Sequence, residues 1–187
     1  MGFHAGLDAF AGVQSQPTLA LADRRETIDG VAAAGAQAMV RVVGIDHLAI
    51  RVGDLARSRA FYGRLLEHMG FVKEWEFGQV VGWNNWETMV WITQADEAGL
   101  RHPHHEGGIG FHHYAFELGA REEVDALYAF LLVEGVKIVD PPALYPDYGE
   151  GYYALFFRDP DGLKLEAMHF VEKEKRRARL KAQRGSS

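Results

Sequence analysis

The chain has 187 residues, a formal net charge of −6 and no cysteine. The last fact excludes disulfides and thiolate metal sites, so any metal must be held by His, Asp or Glu. The length fits one domain or two small modules sharing a core, and no apolar run is long enough to span a bilayer.

Residues 1–39 read as an N-terminal extension. Gln14-Ser15-Gln16-Pro17 breaks the pattern there, and Thr27 to Met39 is Ala-rich enough for a helix. The absence of cysteine makes a reducing cytoplasm the expected location, and the N-terminus lacks the basic start and uninterrupted apolar core of a signal peptide. A first module spans residues 40–95. Its opening strand ends at Val52-Gly53, and Asp54 is placed to cap a helix from Leu55 to about Met69 that Gly70 terminates. Ala56, Phe61, Leu65, Leu66 and Met69 give that helix an apolar face. Strand-like runs follow at Phe71 to Phe77, Gln79 to Trp83 and Trp86 to Gln94, with Asn84-Asn85 as a turn.

Residues 96–109 form a linker rich in Gly, His and charge. Its His102, His104 and His105 read as a solvated loop. The second module, 110–171, repeats the order. A strand from Phe111 to Leu118 leads into a helix from Arg121 to Glu134, with Val124, Leu127, Tyr128, Leu131 and Leu132 inward. A short strand from Lys137 to Val139 and an irregular loop through Pro141-Pro142 and 146–151 come next. Strands from Tyr152 to Arg158 and Leu163 to Phe170 are joined by the turn Asp159-Pro160-Asp161-Gly162. The tail, 172–187, carries seven Lys/Arg against two Glu, which leaves −11 on the rest. It reads as a solvated helix end, and the acidic body argues against nucleic acid as a partner.

Two stretches match at a fixed offset of 66 residues. Gly44-Ile45-Asp46-His47-Leu48-Ala49-Ile50-Arg51-Val52 is echoed by Gly110-Phe111-His112-His113-Tyr114-Ala115-Phe116-Glu117-Leu118. A repeat of this kind means one supersecondary unit used twice. Alternation sorts the faces. Leu48, Ile50 and Val52 oppose His47, Ala49 and Arg51; Tyr114, Phe116 and Leu118 oppose His113, Ala115 and Glu117; Leu163, Leu165 and Ala167 oppose Lys164, Glu166 and Met168. With the apolar sets on the helices, His47, His113 and Glu166 fall on the other, cupped faces. Two imidazoles and a carboxylate around one ion leave positions open for water and substrate. The plainer reading is three hydrogen-bonded strand side chains. His112 is expected to face the helix side. Aromatics crowd both sets of strands, and Trp83 and Tyr153 are the candidates for a substrate-facing wall.

Three motifs carry a resemblance: Asp46-His47-Leu48-Ala49 with Phe61-Tyr62 downstream, His113-Tyr114-Ala115-Phe116, and Phe157-Arg158-Asp159-Pro160-Asp161-Gly162-Leu163-Lys164-Leu165-Glu166. Across about Val40 to Phe170 the chain resembles the vicinal oxygen chelate superfamily. That group includes glyoxalase I, fosfomycin-resistance thiol transferases, extradiol dioxygenases and bleomycin-binding proteins. The resemblance implies an α+β fold of two βαβββ modules, their curved sheets paired around a central cup. It implies one divalent ion (Zn, Ni, Mn, Fe or Co) held by His47, His113 and Glu166, often with ligands from both chains of a dimer. As a ligand that dissociates, Glu166 would also shuttle a proton.

Departures narrow the activity. Glyoxalase I has a further Glu on the last strand of its first module, where Ile92 is the expected equivalent. Phe156 stands where extradiol dioxygenases have Tyr, and Ala49 where the fosfomycin enzymes have Thr. The expected function is a glyoxalase-like lyase or isomerase acting on a small substrate chelated through two oxygens. The alternatives are an extradiol-type dioxygenase, a fosfomycin-type thiol transferase, and a metal-free module binding a hydrophobic drug or metabolite. A homodimer is expected because the half-cups leave sheet edges needing cover.

Overall fold

The computed structural model describes Val42 and residues 44–184. The chain divides into two compact units, Met1–Val43 and Gly44–Ser187. The extension, including the helix expected within it, lies outside the described residues. The second unit carries both modules.

Each module is a four-stranded sheet with one long helix. In the first, β1 (His47–Val52) leads through α1 (Leu55–His68) to β2 (Val72–Phe77), β3 (Val80–Asn84) and β4 (Met89–Gln94). A four-residue turn of helix, α2 (Glu97–Leu100), opens the linker. The second module runs β5 (His113–Glu117), α3 (Arg121–Val133), β6 (Ile138–Leu144), β7 (Tyr152–Arg158) and β8 (Lys164–Phe170), and α4 (Val171–Arg184) follows. The sheet orders are β1-β4-β3-β2 and β5-β8-β7-β6. In each, the first strand pairs parallel with the last and the others pair antiparallel. The fold is α+β, two βαβββ modules.

The repeat is visible residue by residue. Leu55 and Arg121, where the helices begin, stand 66 apart, as do Val72 and Ile138, where β2 and β6 begin. The later strands drift because the second module inserts the 145–151 loop and its short 3₁₀ turn, Pro146–Tyr148. Local chemistry sets the boundaries. Asp54 caps α1 by accepting from Arg57 N. Gly70 and Gly135, with φ of +84° and +67°, take the left-handed conformation that ends each helix. Strand β6 runs on through Pro141-Pro142, where a loop was expected. It is the sheet's edge, its register against β7 is bulged, and missing amide donors are tolerated there.

One core serves both modules. Val52, Phe61, Leu65, Leu66, Val90 and Ile92 from the first cluster with Val124, Leu127, Leu131, Leu155 and Leu165 from the second. On α1, Ser58 and Tyr62 take inward places and Ala56 stays exposed; on α3, Leu132 is exposed. Polar contacts fasten the seam. Tyr62 donates to Asp159 Oδ2 at 2.8 Å and meets Tyr114 Oη at 3.2 Å, while Gly53 N donates to Asp161 Oδ2 at 2.8 Å. Because the helix-bearing sides of both sheets share this core, their other faces point away from each other.

Asp159, 6% exposed, is held above the usual carboxylate range chiefly by burial. A raised native value means that its contribution is complete below the unfolded value and is lost as pH rises through the native one. Asp159→Asn, which keeps an acceptor for the Asp161 and Leu163 amides, removes that dependence. Relative to wild type, the variant should therefore gain stability as pH rises through the carboxylate range. Urea unfolding at a series of pH values checks this, and a constant difference contradicts it.

Candidate metal centre

Glu166 sits mid-strand on β8, opposite Ala115 on β5 and Phe156 on β7, all on the face away from α3. It is 2% exposed, and a carboxylate so buried needs partners. Tyr152 donates to Oε1 at 2.7 Å, and His113 Nε2 lies 3.0 Å from Oε2. The Tyr152 phenol is pushed well up, first by burial and then by its bond to Glu166, so it remains a protonated donor at neutral pH. Phe156 meets the His113 ring edge-on at 6.1 Å, and Tyr145 meets Phe156 edge-on at 5.3 Å. Tyr148 stacks on Tyr145. The 145–151 loop is thus an aromatic cover over this half-cup. Gly149 is required there, because a Cβ would fall 2.6 Å from the Phe170 ring.

His113 and Glu166 are therefore brought together, and His47 stands apart from them. His47 lies on the open face of the other sheet, and its Nδ1 is 2.8 Å from Asp46 Oδ2. That bond leaves Nε2 as the donor for a ligand, the usual arrangement behind a metal-bound imidazole. A cavity of about 400 Å³ beside β1 contains His47, Arg51, His104 and Asp161 but neither His113 nor Glu166. Among the described residues, no three His, Asp or Glu side chains are grouped to hold an ion.

The donor chemistry of the pair fits a divalent ion. Two ligands bonded to one ion at about 2.1 Å lie about 3.0 Å apart at octahedral angles and about 3.4 Å apart at tetrahedral ones; His113 Nε2 and Glu166 Oε2 stand 3.0 Å apart, at hydrogen-bond distance and close enough for one ion to take the hydrogen's place. Within one chain His113 and Glu166 share one sheet, and His47 lies on the other.

The two aromatic candidates go elsewhere. Trp83 is fully buried, its register partner Val90 equally so, and both belong to the helix-side core. Tyr153 also faces the helix side, donating to Asp125 on α3 with Arg121 over its ring. Both occupy the phase of the strand opposite to the open face, which an almost wholly apolar strand does not reveal. Ile92 likewise lies in the core; the open face of β4 carries Met89, Trp91 and Thr93, again without a carboxylate.

What lines the first open sheet is Trp91, stacked at 4.8 Å on Trp75. Gly82 makes room, since a Cβ there would come within 2.5 Å of the Trp91 ring. Sequence reasoning missed Trp75 and Trp91, and also Tyr152. Its only signal for the last was position, four residues before Phe156 and hence on the same face. His112 also differs from expectation, because its ring turns to His113 rather than to the helix.

The fold is the duplicated βαβββ arrangement of the glyoxalase type, and it carries a His–Glu pair on one open sheet face. A model of the Glyoxalase/Bleomycin resistance protein/Dioxygenase superfamily matches residues 44–167, and the chain belongs to that superfamily. It is 30% identical over 125 residues to YqjT of Bacillus subtilis (strain 168), covering 64% of this chain and 94% of that protein. A Bacillus halodurans structure provisionally named a glyoxalase is 27% identical, with a TM-score of 0.59 over 67% of this chain and 95% of that one. A lactoylglutathione lyase from Agrobacterium tumefaciens, 22% identical, shares the fold with a TM-score of 0.52 over 68% and 94% of the two chains. Members of the superfamily are generally enzymes, commonly use a divalent metal and are often dimers that bind small molecules. Among the described residues, no helix is long and apolar enough to cross a membrane.

Proposed function

We propose that this protein is a cytoplasmic, divalent-metal-dependent lyase or isomerase of the glyoxalase kind, acting on a small substrate that presents two oxygens. The observation that carries this reading is the buried Glu166 carboxylate facing His113 Nε2 on an open sheet face. His113 and Glu166 would hold the ion from one chain, and His47 from a second copy would complete the set. The outward direction of both open faces supports that exchange, since sheets sharing a helix-side core do not converge within one chain. The exposed edges on β1 and β5 support it too, because unpaired strand edges call for cover.

The ion, when bound, supplies a Lewis acid that stabilises negative charge developing on the substrate oxygens. Glu166, once dissociated from the ion, would take and return a proton at Oε2, while Tyr152, kept protonated, holds the carboxylate through Oε1. Tyr145 and Tyr148 exclude water above it. Trp75 and Trp91 stand where an apolar part of the substrate would rest. A second reading, metal-free binding of a hydrophobic ligand, is favoured by that indole stack alone.

Mixing two inactive variants tests the exchange. His47→Ala and His113→Ala homodimers should each bind zinc poorly. After subunit exchange, the mixed dimer contains one site with all three ligands and should bind one zinc ion tightly. Mixed dimers verified by native mass spectrometry that recover no zinc binding would overturn pairing between chains.

A further inference from the structure

The residue before β5 and the linker form a line of contacts ending at the buried carboxylate. Arg158 donates through Nη1 to the Gly162 carbonyl at 2.7 Å and pairs through Nη2 with Glu106. That guanidinium bond holds Glu106 below the usual carboxylate range. The other Glu106 oxygen lies 3.5 Å from His112 Nε2. His112 Nδ1 lies 2.7 Å from His113 Nδ1, with the rings at 73°. The two nitrogens of His113 therefore have separate partners, His112 on one side and Glu166 on the other. Without an ion, His113 Nε2 carries a hydrogen toward the Glu166 carboxylate; an ion held between the two takes the place of that hydrogen, and the tautomer that follows is that of the ion-bound imidazole.

Two ring nitrogens 2.7 Å apart must share a proton, because facing lone pairs repel. An imidazole that offers Nε2 to an ion carries its hydrogen on Nδ1, and an acceptor there fixes both tautomer and ring orientation. Glu106 beside His112 Nε2 favours a hydrogen on that nitrogen. His112 Nδ1 is then left as an acceptor. Arg158 in turn fixes Glu106.

We propose that His112, backed by Glu106 and Arg158, is a positioning residue that accepts from His113 Nδ1 and so keeps the His113 Nε2 lone pair aimed at the ion. This rests on the metal reading above. Of the linker's charged and imidazole groups, Glu106 is the one built into the device.

The test uses the full chain with Zn²⁺ as the probe. His112→Leu keeps bulk and removes the hydrogen bond, while His112→Gln restores an acceptor. By calorimetric titration, His112→Leu should bind zinc about 10- to 100-fold more weakly, and His112→Gln should recover most of that loss. Unfolding midpoints of the metal-free proteins should agree, because the His112 side chain is 59% exposed. Unchanged zinc affinity in the Leu variant, or a Gln variant as weak as Leu, overturns the proposal. If wild type binds no zinc, the metal reading fails separately. The pairing is then judged in metal-free protein by imidazole ¹⁵N spectra: His112→Leu must move the His113 Nδ1 resonance, and an unmoved resonance refutes it.

Discussion

Glu166→Ala and Glu166→Gln should each weaken zinc binding by about 100-fold or more, since the proposed site then loses one of the three ligands among which its affinity is shared. The two variants separate binding from folding. In metal-free protein, Glu166→Gln keeps an acceptor for Tyr152 and leaves no empty volume, so its stability should stay near that of wild type. Glu166→Ala leaves a cavity beside Phe156 and takes the acceptor from the half-buried Tyr152 hydroxyl, a lost hydrogen bond to a charged group costing about 1.5–3 kcal/mol. Zinc titration with metal analysis, together with urea unfolding, reads both quantities. Zinc affinity surviving in Glu166→Gln would remove the carboxylate from the site and the proposed chemistry with it. The same variants judge the rival reading. Ligand-induced quenching of tryptophan fluorescence that persists in Glu166→Ala and in chelator belongs to the Trp75–Trp91 stack and to a binding protein.

Trp83→Ala should destabilise the fold by about 3–5 kcal/mol, the usual cost of emptying a large buried aromatic site. The indole is fully buried in the core common to both modules, against Gly63 on α1. Trp91→Ala should cost much less, because its ring lies on the partly exposed open face, where stacking on Trp75 contributes about 0.5–1.5 kcal/mol beyond area. Equilibrium urea unfolding of the two variants decides between core and wall. Equal losses would put both rings in one environment and undo the assignment of faces.

Much of the fold was legible because it rests on local rules. The 66-residue repeat announced the duplicated module. Asp54 and Gly70 bounded a helix that the structure shows within a residue or two of expectation. Alternation also sorted β1, β5 and β8 correctly, since each interleaves polar with apolar residues: His47, His113 and Glu166 all lie on open faces. It failed for β3 and β7. Val80-Val81-Gly82-Trp83 and Tyr152 to Phe157 are apolar on both faces, so the phase that buries Trp83 and turns Tyr153 toward α3 has no polar marker. The end of β6 was missed for a related reason. Proline forbids a central strand but not an edge, and strand order is not a local property.

By itself the sequence determined the module, its duplication and the three residues that face away from the helices, because capping, turn chemistry and strand alternation act over a few residues. The tertiary structure alone decided that the modules share their helix-side core, which sends the open faces apart and separates His47 from His113 and Glu166. It also joined His112 to His113 and Tyr152 to Glu166. Contacts of that kind depend on how sheets stack and rings rotate, and those are fixed by packing between segments far apart in the chain.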